Sequence, residues 1–465
     1  MRALNPVIVS GKEVLPLVEG GKGISVSNGE SSGAWAFANG VGTFSGVNAD
    51  SFDENGVLIP QHYHGRTRRE RHEELIAYAI KGGIAQAKIA HEKSGGHGII
   101  HMNVLWEMAG TEQILHGVLE GTRGLINGIT CGAGMPYKLA ELCARYGLYY
   151  YPIVSSARAF NALWKRAYNR FPEWLGGVVY EDPWRAGGHN GLSNSEDPLK
   201  PQDPYPRVVD LRKAMNVFNL QHIPVIMAGG VWYLHEWEHW LDNPEIGPVA
   251  FQFGTRPLLT QESPISDAWK KKLVNLKEGD VILNKFSPTG FYSSAVRNPF
   301  LVELQERSQR QVAYSAEAIG EHDTVFGVGP RGRPVYLTST DKEKVDSWLA
   351  QGFSEALRTP DNTLIFVDSA RANEILTDQI ECMGCLSACA FSNWSQNEAG
   401  TTGHRADPRS YCIQKTLQNI SHSEDVDFQL MFAGQQAYRF ATDPYYANGF
   451  IPSVKQLVER ISTGY

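Results

Sequence analysis

A histidine set directly behind two glycines, at the end of an apolar run, constrains this chain more than any other feature. The segment Ala186-Gly187-Gly188-His189-Asn190-Gly191 follows Leu-Gly-Gly-Val-Val-Tyr at residues 175–180, which reads as a buried strand. Glycine lets a backbone approach a ligand closely, and a histidine at a strand end can reach a reacting atom. The same grammar returns in Ile-Pro-Val-Ile-Met-Ala-Gly-Gly at 223–230 and in Val-Ala-Phe-Gln-Phe-Gly-Thr at 249–255. Three strand-then-glycine junctions in succession predict a phosphate-bearing cofactor held at one face of a barrel.

The surrounding rhythm agrees. Strand-like stretches fall at 15–19, 43–47, 98–105, 125–131, 149–155, 177–182, 224–228 and 248–253. Helix-like stretches lie between them at 31–39, 71–92, 111–119, 136–146, 157–168, 207–218 and 234–241. Strands alternating with helices in this way predict an α/β fold, a (β/α)8 TIM barrel over residues 1–275; a doubly wound open sheet is the rival. From 276 to 465 the βα rhythm stops, which predicts a C-terminal region of mixed α+β structure. Two polar insertions, 48–70 and 194–206, are expected above the strand ends. The first carries Arg66, Arg68, Arg69 and Arg71, which read as a solvated face paired with Glu70, Glu73 and Glu74, or as a clamp for an anion.

Composition narrows the classes. With 465 residues, 42% hydrophobic and a net charge of −7, the chain can bury a large core and is not built to bind nucleic acid. No stretch reaches the roughly 20 apolar residues that span a bilayer. The first residues carry no secretion signal, and six cysteines are too few for a disulfide framework, so a cytoplasmic, reduced setting is expected.

Further motifs occur in order: Asn103 after a strand, Gly-Ala-Gly-Met-Pro at 132–136, Pro-Ile-Val-Ser-Ser at 152–156, Ala-Gly-Gly-His at 186–189, Ala-Gly-Gly-Val at 228–231 and Gly-Thr-Arg-Pro-Leu-Leu-Thr at 254–260. On these the chain resembles, over residues 14–275, the nitronate monooxygenase (2-nitropropane dioxygenase) family of FMN-dependent barrels, which includes flavin-dependent enoyl-acyl-carrier-protein reductases. The resemblance implies FMN held by Gly20, Gly21, Lys22, Asn103, Gly187, Gly188, Gly229, Gly230, Gly254 and Thr255, with His189 beside the flavin as base or hydrogen-bond donor. Two departures stand out, the first read as steadying negative charge on reduced flavin and the second as bearing on substrate choice. Lys22 stands where the family usually has Pro-Met, and Asp-Pro-Trp-Arg at 182–185 replaces its Gln-Gly-x-Glu, adding bulk at Trp184 and positive charge at Arg185.

Cys382, Cys385, Cys389 and Cys412 form the pattern C-x2-C-x3-C-x22-C. Thiolates this close can converge on a soft metal centre. The stretch is similar to the cluster-binding segment of iron–sulfur dienoyl reductases, with a longer last gap. A [4Fe–4S] cluster, a structural zinc and unligated thiols all stay open. Cys131 and Cys143 read as core. His-Glu-Trp-Glu-His at 235–239 has zinc-protease spacing but sits on an outer helix, and Gly-Val-Gly-Pro-Arg-Gly at 327–332 lacks the helix a dinucleotide fingerprint requires.

The leading expectation is an oxidoreductase of the nitronate monooxygenase type, using O2. The alternatives are an NAD(P)H-dependent reductase of an activated alkene such as an enoyl thioester, and an FMN/iron–sulfur electron-transfer protein. A small-molecule substrate is expected; a redox partner and a homodimer remain open, and neither nucleic acid nor membrane is expected.

Overall fold

The computed structural model describes residues 3–465; Met1 and Arg2, part of the segment read for a secretion signal, lie outside it. Eight parallel strands close into a barrel: β1 (Leu17–Glu19), β2 (Val41–Ser45), β3 (Ile99–Leu105), β4 (Gly128–Gly132), β5 (Tyr149–Val154), β6 (Val178–Glu181), β7 (Val225–Ala228) and β8 (Val249–Phe253). Each pairs with the next, and β8 closes on β1 with Phe251 opposite Leu17. The open-sheet alternative is thereby excluded. The outer layer includes α1 (Gly29–Phe37), α2 (Arg68–Lys93), α3 (Thr111–Gly121), α4 (Leu139–Arg145), α5 (Ala157–Arg166) and α6 (Pro204–Val217).

Side-chain alternation explains the closure. Val178, Tyr180, Val225, Met227, Val249, Phe251 and Phe253 face the helices, while Val179, Ile226, Ala228 and Ala250 fill the bore. A hairpin, Val7–Val9 with Lys12–Val14, plugs the N-terminal end. Its Ser10 hydroxyl bonds His101 Nε2 at 2.9 Å and the Tyr151 hydroxyl at 2.8 Å. Burial holds His101 down at about 3, so this polar plug is uncharged at neutral pH.

Two sequence expectations change. Residues 234–240 form a 3-10 helix, not the expected α-helix, and its three-residue turn separates His235 from His239. His235 Nδ1 bonds the Gly464 carbonyl and His239 stacks on Tyr205, so the zinc-protease spacing holds no paired ligands. After β8 only a short 3-10 turn, Arg256–Leu259, follows; the last helix, Val454–Ser462, returns to pack against α1 and joins the barrel's outer core. The arginines of the first insertion neither pair with nearby acids nor enter a ligand cavity. Arg68 donates to the Gln379 carbonyl, Arg71 to those of Ile380 and Cys382, and Arg69 to those of Asn397 and Glu398. Arg68 and Arg71 satisfy open carbonyls at the C-terminal end of helix Ser369–Ile380, and Arg71 ties α2 to Cys382. The neighbouring acids serve backbone N–H groups instead: Glu70 closes a capping box with Thr67, and Glu74 accepts from His64 and Gly65.

Beyond residue 276 the chain forms small antiparallel sheets with helices between them. One bears directly on the barrel: Gly188–His189 pairs with Ser293–Val296, which pairs with Val281–Asn284. Residues 327–332 make the turn of a hairpin, Thr324–Val328 with Arg333–Leu337.

Candidate active site

The C-terminal strand ends open into one cavity. Gly20, Gly21, Lys22, Asn103, Gly187, Gly188, His189, Gly229, Gly230, Gly254 and Thr255 all line it, as does Cys385. The register brings the glycines together: Glu181, Ala228 and Gln252 stand at one level on β6, β7 and β8, and the glycines of β7 and β8 follow immediately.

The glycine rim suits a ligand pressed against bare backbone. Gly229 and Gly230 have φ of +91° and +80°, and a Cβ on either would strike Ala186 or Arg185. A Cβ on Gly21 would lie 2.3 Å from that of Asn103, so this loop seats only as glycine. At Gly254 a Cβ would meet nothing within 4 Å. That is open space on the cavity wall, next to the β7 turn where barrels of this kind hold phosphate. Gly434 N donates to Thr255 Oγ1 at 2.9 Å and Gln435 N to the Arg185 carbonyl at 3.1 Å, so a C-terminal segment roofs this corner.

His189 stands between the barrel and the added sheet. Its Nε2 lies 2.7 Å from Ser287 Oγ, which lies 2.8 Å from Thr289 Oγ1, and Phe432 packs edge-on at 5.3 Å. No protein group among the described residues bonds Nδ1. Burial pushes the imidazole down to about 4, so it is neutral at physiological pH. Ser287 was not legible in the sequence, since it lies ninety-eight residues away in an unmarked turn.

Lys22 is not a surface lysine. Its Nζ donates to the Gly20 carbonyl at 2.6 Å and lies 3.8 Å from Glu19 Oε1, whose carboxylate is fully buried and also accepts from Ser31 Oγ. Burial raises the Glu19 carboxyl and lowers the Lys22 ammonium, each opposed by the other's charge. Lys22→Met is therefore expected to strand the Glu19 carboxylate and cost about 2–4 kcal/mol of stability in urea unfolding, with Glu19→Gln in the same background recovering part of it.

The departures at 182–185 also resolve. Asp182 caps its turn by accepting from Trp184 N and Arg185 N, both at 2.9 Å. Trp184 turns away from the cavity, where Arg207 stacks on it and its Nε1 donates to the Asp197 carbonyl; the expected bulk beside the flavin is not there. Arg185 does line the cavity, against Gly230. The 194–206 loop contributes no lining residue among those described.

Cys385 faces the cavity, and Cys382, Cys389 and Cys412 are packed with it in the adjoining apolar cluster, all unpaired. Burial raises the Cys385 thiol far above its usual range, and charge on any of the other three would raise it further. Gly384 N donates to Cys382 Sγ at 3.4 Å. Among the described residues no three His, Cys, Asp or Glu side chains converge as ligands of a single ion. Cys131 and Cys143 are core residues, as expected.

Comparison with known proteins agrees with the geometry. The chain is 26% identical over 191 residues to a probable nitronate monooxygenase of Staphylococcus aureus (strain Newman), an alignment covering 41% of this chain and 49% of that protein. The chain thus spans about half the length of the curated relatives it matches. In fold it is similar to the nitroalkane oxidase from Streptomyces ansochromogenes (TM-score 0.50, 14% identity, 97% and 95% of the two chains). It is also similar to the enoyl reductase domain of MlnA from Bacillus amyloliquefaciens (TM-score 0.54, 12% identity, 97% and 93%). The family profile described as nitronate monooxygenase matches residues 129–464, most of the chain, and the protein belongs to that family.

Proposed function

We propose that this chain is an FMN-dependent oxidoreductase that oxidises nitronates with O2. The observation that carries the reading is the single cavity in which the glycine strand ends, Lys22 and His189 meet. FMN would rest its phosphate on Gly229, Gly230, Gly254 and Thr255 and its ring near Gly20, Gly21, Lys22 and Asn103; when bound, it supplies the two-electron chemistry.

The chain's own groups select an anion. A histidine held near 4 is a weak base at neutral pH, poorly suited to pulling a proton from a neutral nitroalkane. It is suited to donating. With Ser287 Oγ taken as the donor to His189 Nε2, the proton is assigned to Nδ1, where no protein acceptor among the described residues competes for it. Nδ1–H then steadies the oxygen of a nitronate. Lys22 and Arg185 line the same cavity, each set beside a carboxylate, Glu19 and Asp182. Rapid anaerobic mixing tests this: a preformed nitronate should bleach the flavin at least tenfold faster than its neutral nitroalkane, and equal rates would return His189 to the role of base.

The apolar wall formed by Leu75, Met108, Ile114, Leu386 and Leu417 favours a second reading, in which NAD(P)H reduces an activated alkene carrying an apolar chain. There Nδ1–H would orient the substrate carbonyl. NAD(P)H that bleaches the flavin while nitronate does not would select that reading; failure of both would favour an electron-transfer role.

The four-cysteine site is proposed to hold a [4Fe–4S] cluster. What supports the reading is four free thiols gathered in one apolar cluster, with backbone N–H donors toward Cys382 and Cys389 that would steady anionic sulfur once a metal is bound. Arg71 fastens the Cys382 carbonyl to α2, which stiffens the segment. Cys385→Ser is expected to abolish the broad visible absorbance and to lower bound iron at least several-fold; unchanged iron would remove Cys385 as a ligand.

A further inference from the structure

We propose that Glu181 holds a proton at neutral pH and donates it, as a hydrogen bond, to the flavin seated over the glycine strand ends, so that cofactor affinity is gated by the charge of this one carboxyl. The inference rests on the FMN reading and deepens it.

Strand alternation places the side chain. On β6, Val178 and Tyr180 face the helices and Val179 faces the bore, so Glu181 is the next inward residue and the last before the turn to Ala186. It lines the cavity level with Ala228 and Gln252, above a floor of Val179, Ile226 and Ala250. The Glu181 carboxyl forms no hydrogen bond or ion pair with any described residue. The cations of the cavity are engaged elsewhere: Lys22 by Glu19 and the Gly20 carbonyl, Arg185 by Asp182 at 3.9 Å. The charged group that acts on Glu181 is Asp182, which repels its ionised form. A carboxyl with no donor and an anionic neighbour in an enclosed site keeps its proton, and burial pushes Glu181 up to about 8. Below that pH it offers an O–H to a ligand acceptor; above it, it presents a bare negative charge to an anionic cofactor. The sequence carried the signal in the two-residue alternation of β6, beside the more conspicuous Ala-Gly-Gly-His.

The test is FMN binding to apoprotein, followed by flavin fluorescence from pH 7 to 10. Affinity of the wild-type protein should fall about tenfold or more across that range, because the bound state binds one proton more than the free ionised form. Glu181→Gln, which keeps a neutral donor, should bind FMN within about threefold of wild type at pH 7 and lose the pH step. Infrared spectra should show a protonated carboxylic C=O at pH 7 that Glu181→Gln removes. A flat wild-type profile, or a step that survives in Glu181→Gln and so belongs to Lys22, overturns the proposal while leaving FMN binding intact. No FMN uptake at any pH instead defeats the FMN reading itself.

Discussion

His189→Ala should keep its FMN and lose turnover with a nitronate by about 100-fold or more, the usual effect of deleting one donor from an anion-stabilising site. Cofactor retention is expected because the proposed phosphate and ring positions use backbone, Thr255, Lys22 and Asn103, to none of which the imidazole is hydrogen-bonded. Ser287 Oγ lies 2.7 Å from His189 Nε2 and, on the proposed tautomer, donates to it, so Ser287→Ala should produce a smaller loss in the same direction. The pH dependence has a definite sign. An imidazole depressed to about 4 is neutral throughout the working range, so kcat/KM for a preformed nitronate should show no His189 limb between pH 6 and 8. An acid limb near 6.5 that disappears in His189→Ala would mean the imidazole titrates normally and acts as a base. Full activity of His189→Ala would remove it from the chemistry.

Gly254→Leu should lower FMN affinity by about 100-fold or more, roughly 2.7 kcal/mol, with little change in thermal stability. Gly254 is the cleanest of the rim glycines for this purpose. Gly229 and Gly230 have positive φ, and Gly21 and Gly187 abut other residues, so side chains there would damage the fold as well as the site. At Gly254 a Cβ meets only open space, so the leucine fills room the ligand needs while the barrel stays intact. Loss of FMN with a normal melting curve is the expected outcome; normal FMN affinity would place the phosphate elsewhere.

The barrel and its rim were legible because both depend on local grammar. Alternating apolar runs give the strands, and glycines after them mark where the backbone must stay bare. Strand limits shifted by up to a few residues, as at β2, which runs from Val41 to Ser45 where 43–47 was expected, because hydrogen-bond register with neighbouring strands decides the ends. What escaped is what comes from far along the chain. Ser287 reaches His189, the Gly434 backbone reaches Thr255, and Val454–Ser462 returns to α1; no local pattern announces such partners. The arginines were misread for a related reason. Near acids in sequence suggest ion pairs, but those acids cap the start of α2 and its loop, leaving the guanidinium groups for carbonyls over three hundred residues away. Trp184 was misjudged because a side chain's direction in a turn is set by the turn's own cap, here Asp182.

Titration of apoprotein with FMN addresses the central claim most directly. Flavin fluorescence should quench to an end point of one FMN per chain for the wild type, with Gly254→Leu failing to reach it under the same conditions. A well-folded wild-type protein that takes up no FMN would contradict the account.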